Sequence, residues 1–215
     1  MSGKKTYQMI LTGLFTAIII IMAFVPYLGY INLVVIKATL IHVPVIIGSI
    51  MLGPKKGGFL GFVFGCTSLI NNTFNPSLLS FAFSPFYSVG EIGGNFFSLV
   101  ICFVPRILVG VVPYFVYIGL KKLFRERRGT DWLALPVAGV AGALTNTILV
   151  MHLIYFCFSE QFAAAKAITA DAVYGAILAI IAANGIPEAI VAAVLTPAVC
   201  KALNGAVRYR NGRAG

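Results

Sequence analysis

YQMILTGLFTAIIIIMAFVP, residues 7–26, is a run of twenty residues without a single charged side chain. An α-helix needs roughly 20 mostly apolar residues to cross the hydrocarbon core of a bilayer. Five further apolar stretches follow, at about 39–53, 57–75, 96–120, 132–158 and 172–203. This pattern predicts an all-α integral membrane protein, a bundle of six transmembrane helices that forms one membrane domain over residues 1–215.

The composition of the 215 residues agrees with a membrane protein. Hydrophobic residues make up 60% of the chain and charged residues 10%, and the mean hydropathy is +0.96. Soluble domains are usually about 45–50% apolar and about 25% charged. A soluble enzyme, a disordered chain and a secreted disulfide scaffold are therefore excluded.

The basic residues predict the orientation, because lysine and arginine concentrate in cytoplasmic loops. With both termini in the cytoplasm, 13 of the 16 basic residues fall on one side of the membrane, at residues 4–5, 55–56, 121–128 and 201–213. The net charge of +10 is therefore a topology signal and does not indicate nucleic-acid binding. We expect a multi-pass protein of the bacterial plasma membrane.

Polar side chains inside the predicted spans are candidates for substrate binding, because they are costly at membrane depth. Arg106, Asn146 and Asn184 are predicted to share a layer near the midplane, with Glu188 one helical turn deeper. Nearer the outside the sequence places His42, Asn71, Asn72, Asn95 and His152. We expect an outward-facing pocket for a small polar ligand, in which Arg106 binds an anionic group. In the alternative interpretation Arg106 and Glu188 form a buried ion pair, and the histidines only pack.

Small residues spaced four apart predict close helix contacts. Gly57, Gly61 and Gly65, like the pair at 139 and 143, are expected to pack inside the bundle. Gly13 and Ala17 on the first span could instead form a docking face for another membrane protein.

The chain has no phosphate-binding loop and no recognisable catalytic or metal-binding motif. We therefore expect no enzyme activity and no cofactor. Two alternatives stay open: a proton-coupled secondary transporter in which Glu188 carries the proton, and a membrane enzyme that uses Glu188 and His152 as acid and base.

Three stretches resemble a known family. These are TLIHVPVIIG at 39–48, LGPKKGG and GFVFG within 52–65, and FVPRILVG at 103–110. They look like the substrate-binding S components of energy-coupling-factor (ECF) vitamin transporters, and among these the sequence most resembles the pantothenate-type members. Riboflavin, folate and thiamine are handled by the same fold.

The resemblance implies that the chain captures a vitamin from outside and works with a transmembrane coupling subunit and two ATPase subunits. It also implies that Gly13 and Ala17 dock on the coupling subunit, and that residues 27–38 form a lid over the ligand. Toppling of the bundle would carry the ligand inward. Pantothenate carries a carboxylate, which Arg106, with Lys37 at the lid, would suit.

Overall fold

The structure, a computed structural model, describes residues 2–25, 28–33, 36–90, 92–125 and 129–213, and it describes side chains over these ranges except at 2–4, 30–33, 36–38, 89 and 206–213. The described chain is largely α-helical. Its α-helices are α1 (Ser2–Phe24), α2 (His42–Leu52), α3 (Pro54–Phe74), α4 (Phe96–Val109), α5 (Val112–Leu123), α6 (Asp131–Lys166) and α7 (Val173–Arg213). Two antiparallel hairpins accompany them, formed by β1 (Tyr30–Leu33) with β2 (Ile36–Thr39) and by β3 (Ser88–Val89) with β4 (Ile92–Gly93).

Four segments in the described part of the chain are long and apolar enough to cross a membrane, at Lys5–Phe24, Phe96–Leu123, Asp131–Lys166 and Ala170–Gly205. The predicted class, a mostly helical membrane protein, is therefore confirmed. Helix α3 has 21 residues but carries two asparagines near its end, and α2 has only 11. The count of six spans and the cytoplasmic termini stay predictions.

Helix α2 lies at the centre of the bundle, where nine of its eleven residues are buried. At 1.5 Å per residue it is about 16 Å long, about half of the ~30 Å hydrocarbon core. The predicted span at 39–53 therefore starts too early, because Thr39 ends strand β2 and helix α2 begins only at His42.

The predicted lid at 27–38 contains a β-hairpin. Strand β1 pairs with β2 in the register Tyr30↔Thr39 to Leu33↔Ile36, and β2 contacts α7. Strand backbone at membrane depth must be buried in protein, since lipid offers it no hydrogen bonds. Only two residues separate β2 from α2, so the position of the hairpin determines where in the bundle α2 begins.

The predicted span at 96–120 consists of two helices, separated at Gly110 and Val111. Asn95 begins α4 with a capping box: its side chain accepts a hydrogen bond from Phe97 N at 2.8 Å, and Ser98 Oγ accepts one from Asn95 N at 3.0 Å. The remaining predicted spans, at 132–158 and 172–203, correspond to the longer helices α6 and α7.

Glycines set the closest helix contacts, as predicted. Gly57 and Gly61 on α3 face the backbone of Gly110 and Arg106, where an added Cβ would overlap a carbonyl oxygen. On α6 a Cβ at Gly139 would lie 2.6 Å from Ala192 O of α7. These contacts confirm that the small residues of α3 and α6 pack inside the bundle.

Candidate functional site

The carboxylate of Glu188 joins three elements in the interior of the protein. Its side chain is only 4% exposed. One oxygen accepts a hydrogen bond from the backbone N–H of Thr39, at the end of β2, at 2.8 Å. The other accepts one from Thr147 Oγ1 on α6, also at 2.8 Å. Glu188 thus connects α7 with α6 and with the hairpin that precedes α2.

His42, the first residue of α2, lies beside Glu188. Its imidazole is fully buried and reaches the backbone of Thr39 and of Glu188. Two buried amide oxygens, Asn146 Oδ1 and Asn184 Oδ1, have no hydrogen-bond partner among the described residues. Asn146 precedes Thr147 on α6, and Asn184 lies one turn before Glu188 on α7. Thr147 packs against Gly185, which brings these residues to one level.

We call His42, Asn146, Asn184 and Glu188 the Glu188 centre. The sequence predicts His42 nearer the outer surface than Glu188, but His42 begins a short, buried α2 and lies against Glu188. The four predicted binding residues of this centre come from three helices, α2, α6 and α7.

Arg106 lies in a second group of polar residues, between α3 and α4. Its side chain is 7% exposed, and its guanidinium lies 4.9 Å from the ring centroid of Phe83 and 5.6 Å from that of Phe64. Nη1 donates to Ile101 O at 2.8 Å, and Nη2 donates to Ser68 Oγ at 3.4 Å. A buried cation with several donors can bind a carboxylate once a ligand reaches it.

Asn72 continues this second group toward the turn after α3. Its amide donates to Ser68 O at 2.8 Å, and its oxygen accepts a hydrogen bond from Ser80 Oγ at 2.8 Å. We call Arg106, Ser68, Asn72 and Ser80 the Arg106 centre. The contacts described for this centre and for the Glu188 centre share no partner, and the Arg106–Glu188 ion pair stays an alternative. Helix α4 nevertheless contacts both α2 and α6.

The other predicted binding residues lie outside these two centres. Asn71 accepts a hydrogen bond from Asn75 at the end of α3, and Asn95 caps α4. The ring of His152 bonds to Ile148 O at 2.8 Å and meets Tyr174 edge to face. Lys37 belongs to β2, and its side chain lies outside the described part of the structure.

Sequence reasoning missed Ser68 and Ser80 of the Arg106 centre, and it missed two partners of Glu188, Thr147 and the backbone N–H of Thr39. Thr147 directly follows Asn146, a predicted binding residue, and a polar residue at this position in an apolar span is a weak sequence signal. Ser68 lies four residues before Asn72 on the same helical face, which was also readable. The Thr39 contact spans 149 positions of sequence, and no local pattern could reveal it.

The predicted docking residues Gly13 and Ala17 are exposed on α1. The opposite face of α1 is buried through Leu11, Phe15 and Ile19. No described atom lies within 4 Å of a Cβ built on Gly13. α1 is therefore accessible at Gly13 and Ala17, where small side chains would allow a second helix to approach closely.

Comparison with known proteins identifies the family. Residues 7–200 match the family described as ECF transporter, substrate-specific component. The pantothenic acid transporter PanT of Lactococcus lactis subsp. cremoris is 37% identical over 208 residues, which cover 96% of this chain and 98% of the relative. The pantothenate transporter PanT of Leuconostoc mesenteroides subsp. mesenteroides is 31% identical over 205 residues, or 93% of each chain. The chain is thus a membrane transport protein that belongs to the substrate-specific components of ECF transporters.

Proposed function

We propose that this chain captures pantothenate from the outside of a bacterial plasma membrane and delivers it together with an ECF coupling subunit and two ATPase subunits. The observation that carries the choice of vitamin is the near full-length similarity to two proteins named as pantothenate transporters. The buried Arg106 guanidinium supports it, since pantothenate carries a carboxylate that a desolvated arginine binds well.

In this proposal both centres line one binding site below the β1–β2 hairpin. The Glu188 centre and Arg106 contact the ligand directly, while Lys37 approaches it from the hairpin. Asn71, Asn95 and His152 lie toward the outer entrance. Asn71 and Asn95 are already engaged in a helix-end contact and in capping, so we expect smaller effects from substitution of these three residues than from changes in the two centres.

The proposed orientation places both termini in the cytoplasm. Contacts between basic residues and neighbouring elements support a shared basic end. Lys56 at the start of α3 donates to Gln8 near the start of α1 at 3.0 Å. Lys201 near the end of α7 lies 3.1 Å from the ring centroid of Trp132 at the start of α6.

Isothermal titration calorimetry of the purified protein in detergent tests the choice of vitamin. We expect saturable binding of pantothenate at micromolar concentration or below, and none of riboflavin, folate or thiamine under the same conditions. Native mass spectrometry of the same preparation should show a co-purified molecule of the mass of pantothenate. Saturable binding of another vitamin with no response to pantothenate would refute the assignment.

The alternative, an autonomous proton-coupled transporter, has one supporting observation, the buried Glu188 carboxylate. Liposomes that contain only this chain separate the two functions. The ECF proposal predicts no accumulation of pantothenate under an imposed pH gradient, whereas the alternative predicts uptake without ATP or partner subunits.

A further inference from the structure

The Glu188 centre contains buried hydrogen-bond acceptors that no described donor satisfies. Each carboxylate oxygen of Glu188 has two lone pairs and can accept up to two hydrogen bonds. Thr39 and Thr147 supply one described hydrogen bond to each oxygen. Asn146 Oδ1 and Asn184 Oδ1 add two acceptors that have no partner among the described residues. A buried acceptor left unpaired is costly, so a ligand with hydrogen-bond donors would stabilise this centre.

The Arg106 centre has the opposite character. Arginine carries five N–H donors and no acceptor. Its guanidinium lies between two aromatic rings and bonds to Ser68 and to a backbone carbonyl. An anion is therefore attracted to Arg106, whereas the acceptor atoms of the Glu188 centre attract hydrogen-bond donors. The two centres would select opposite ends of a ligand that has a carboxylate at one end and donor groups at the other.

Pantothenate is such a ligand, with two hydroxyl groups at the end remote from its carboxylate. We propose that the Glu188 centre binds the hydroxyl-bearing end of the ligand, through Asn146, Asn184 and His42 around Glu188, while Arg106 takes the carboxylate. This orientation rests on the proposed function. It places the hydroxyl groups next to Thr39, under the hairpin, and makes hydroxyl recognition the basis of specificity at that end.

Three compounds titrated into the purified protein in detergent test the orientation: pantothenate, an analogue with hydrogen in place of both hydroxyls, and pantothenol, in which an alcohol replaces the carboxylate. For the wild-type protein we expect removal of the hydroxyls to weaken binding by about tenfold or more, the effect of at least one lost hydrogen bond. Replacement of the carboxylate should weaken binding separately, through Arg106.

The hydroxyl penalty is the loss of affinity when both hydroxyls are removed from the ligand. The variants Asn184→Ala and Asn146→Ala should each reduce this penalty to about threefold or less, because each variant lacks one of the acceptors that bind the hydroxyls. Both should keep the carboxylate penalty of the wild type. Asn204→Ala is the matched control, since Asn204 is an exposed asparagine on the same helix, α7, and it should keep both penalties. Thermal melting and gel filtration establish that each variant is folded.

The outcomes separate this inference from the function on which it rests. If the wild-type protein does not bind pantothenate, the proposed function and the orientation both fail. If it binds pantothenate but tolerates loss of both hydroxyls, only the orientation fails, and this measurement needs no variant. The orientation also fails if the asparagine variants lose the carboxylate penalty and keep the hydroxyl penalty.

Discussion

Arg106 shows how one residue can serve both the fold and the proposed binding site. Pro105 has no backbone N–H, so the carbonyl of Ile101 loses its helical donor. Arg106 Nη1 supplies a replacement at 2.8 Å. In a membrane an unpaired carbonyl is especially costly, so Arg106 compensates for the hydrogen bond that Pro105 removes. The guanidinium also keeps a positive charge in the interior.

At this residue we predict that Arg106→Ala lowers the affinity for pantothenate by about 10- to 100-fold, because a hydrogen bond to a charged group contributes about 1.5–3 kcal/mol. Binding of pantothenol, which has no carboxylate, should change much less. Titration calorimetry with both compounds measures the difference. Arg106→Lys, which retains the charge, should lie between the wild-type protein and Arg106→Ala. Equal losses for the two compounds would contradict a carboxylate role.

At the scale of elements, the short helix α2 and the β1–β2 hairpin determine what the centre of the protein contains. β2 contacts α7, and Glu188 accepts a hydrogen bond from the N–H of Thr39. In the proposed lid role of the hairpin, the hydrogen bond from Thr39 to Glu188 helps to keep the lid closed.

We therefore predict that Thr39→Pro, which removes the N–H, speeds the release of bound pantothenate by about tenfold, the effect of one hydrogen bond to a carboxylate. β2 is an edge strand of a two-stranded hairpin, and proline is tolerated on edge strands better than on central ones. Thr39→Ala keeps the N–H and is the matched control. Release is followed by dilution of the loaded protein and rapid filtration. Similar release rates for both variants would show that this contact does not retain the ligand.

The packing of α3 against α4 depends on glycines at fixed spacing. We predict that Gly61→Ala lowers the free energy of unfolding by about 1–3 kcal/mol, since the added methyl group must displace the backbone of Arg106. Gly119→Ala on α5 is the control, because no described atom lies within 4 Å of its added Cβ. Denaturant titration in mixed micelles compares them. A stability for Gly61→Ala equal to that of Gly119→Ala would contradict the close contact.

At the scale of the whole molecule, α1 has two separate tasks. Its buried stripe packs on α2 and α3, and its other face, around Gly13 and Ala17, is exposed. Small residues at positions such as Gly13 and Ala17 let a partner helix come close. Because this face lies apart from the residues of both centres, docking and ligand binding should be separable by mutation.

Gly13→Leu should leave the pantothenate affinity unchanged and lower ATP-dependent uptake with the complete ECF complex by about tenfold, as expected for a loss of roughly 1.4 kcal/mol in association. The matched control is Gly175→Leu, an exposed glycine on α7 that also has no described atom near an added Cβ. It should transport normally. Uptake that survives Gly13→Leu would place the docking face elsewhere.

The sequence by itself determined that this is a membrane protein, that it is helical, and which family it belongs to. Apolar runs, the clustering of basic residues and the motifs at 39–65 and 103–110 are local properties, and local properties can be read without a structure. Most of the residues of the two centres were also found in this way, since a polar side chain within an apolar span is conspicuous.

Only the tertiary structure decided how those residues are grouped. It placed Arg106 against Ser68 and two aromatic rings, brought His42 next to Glu188, and connected that carboxylate to Thr39 from 149 positions away. The physical reason is that depth in the bundle depends on where α2 begins, and that boundary is set by the pairing of the hairpin and its burial against α7. Such long-range contacts leave no periodic trace in a single sequence.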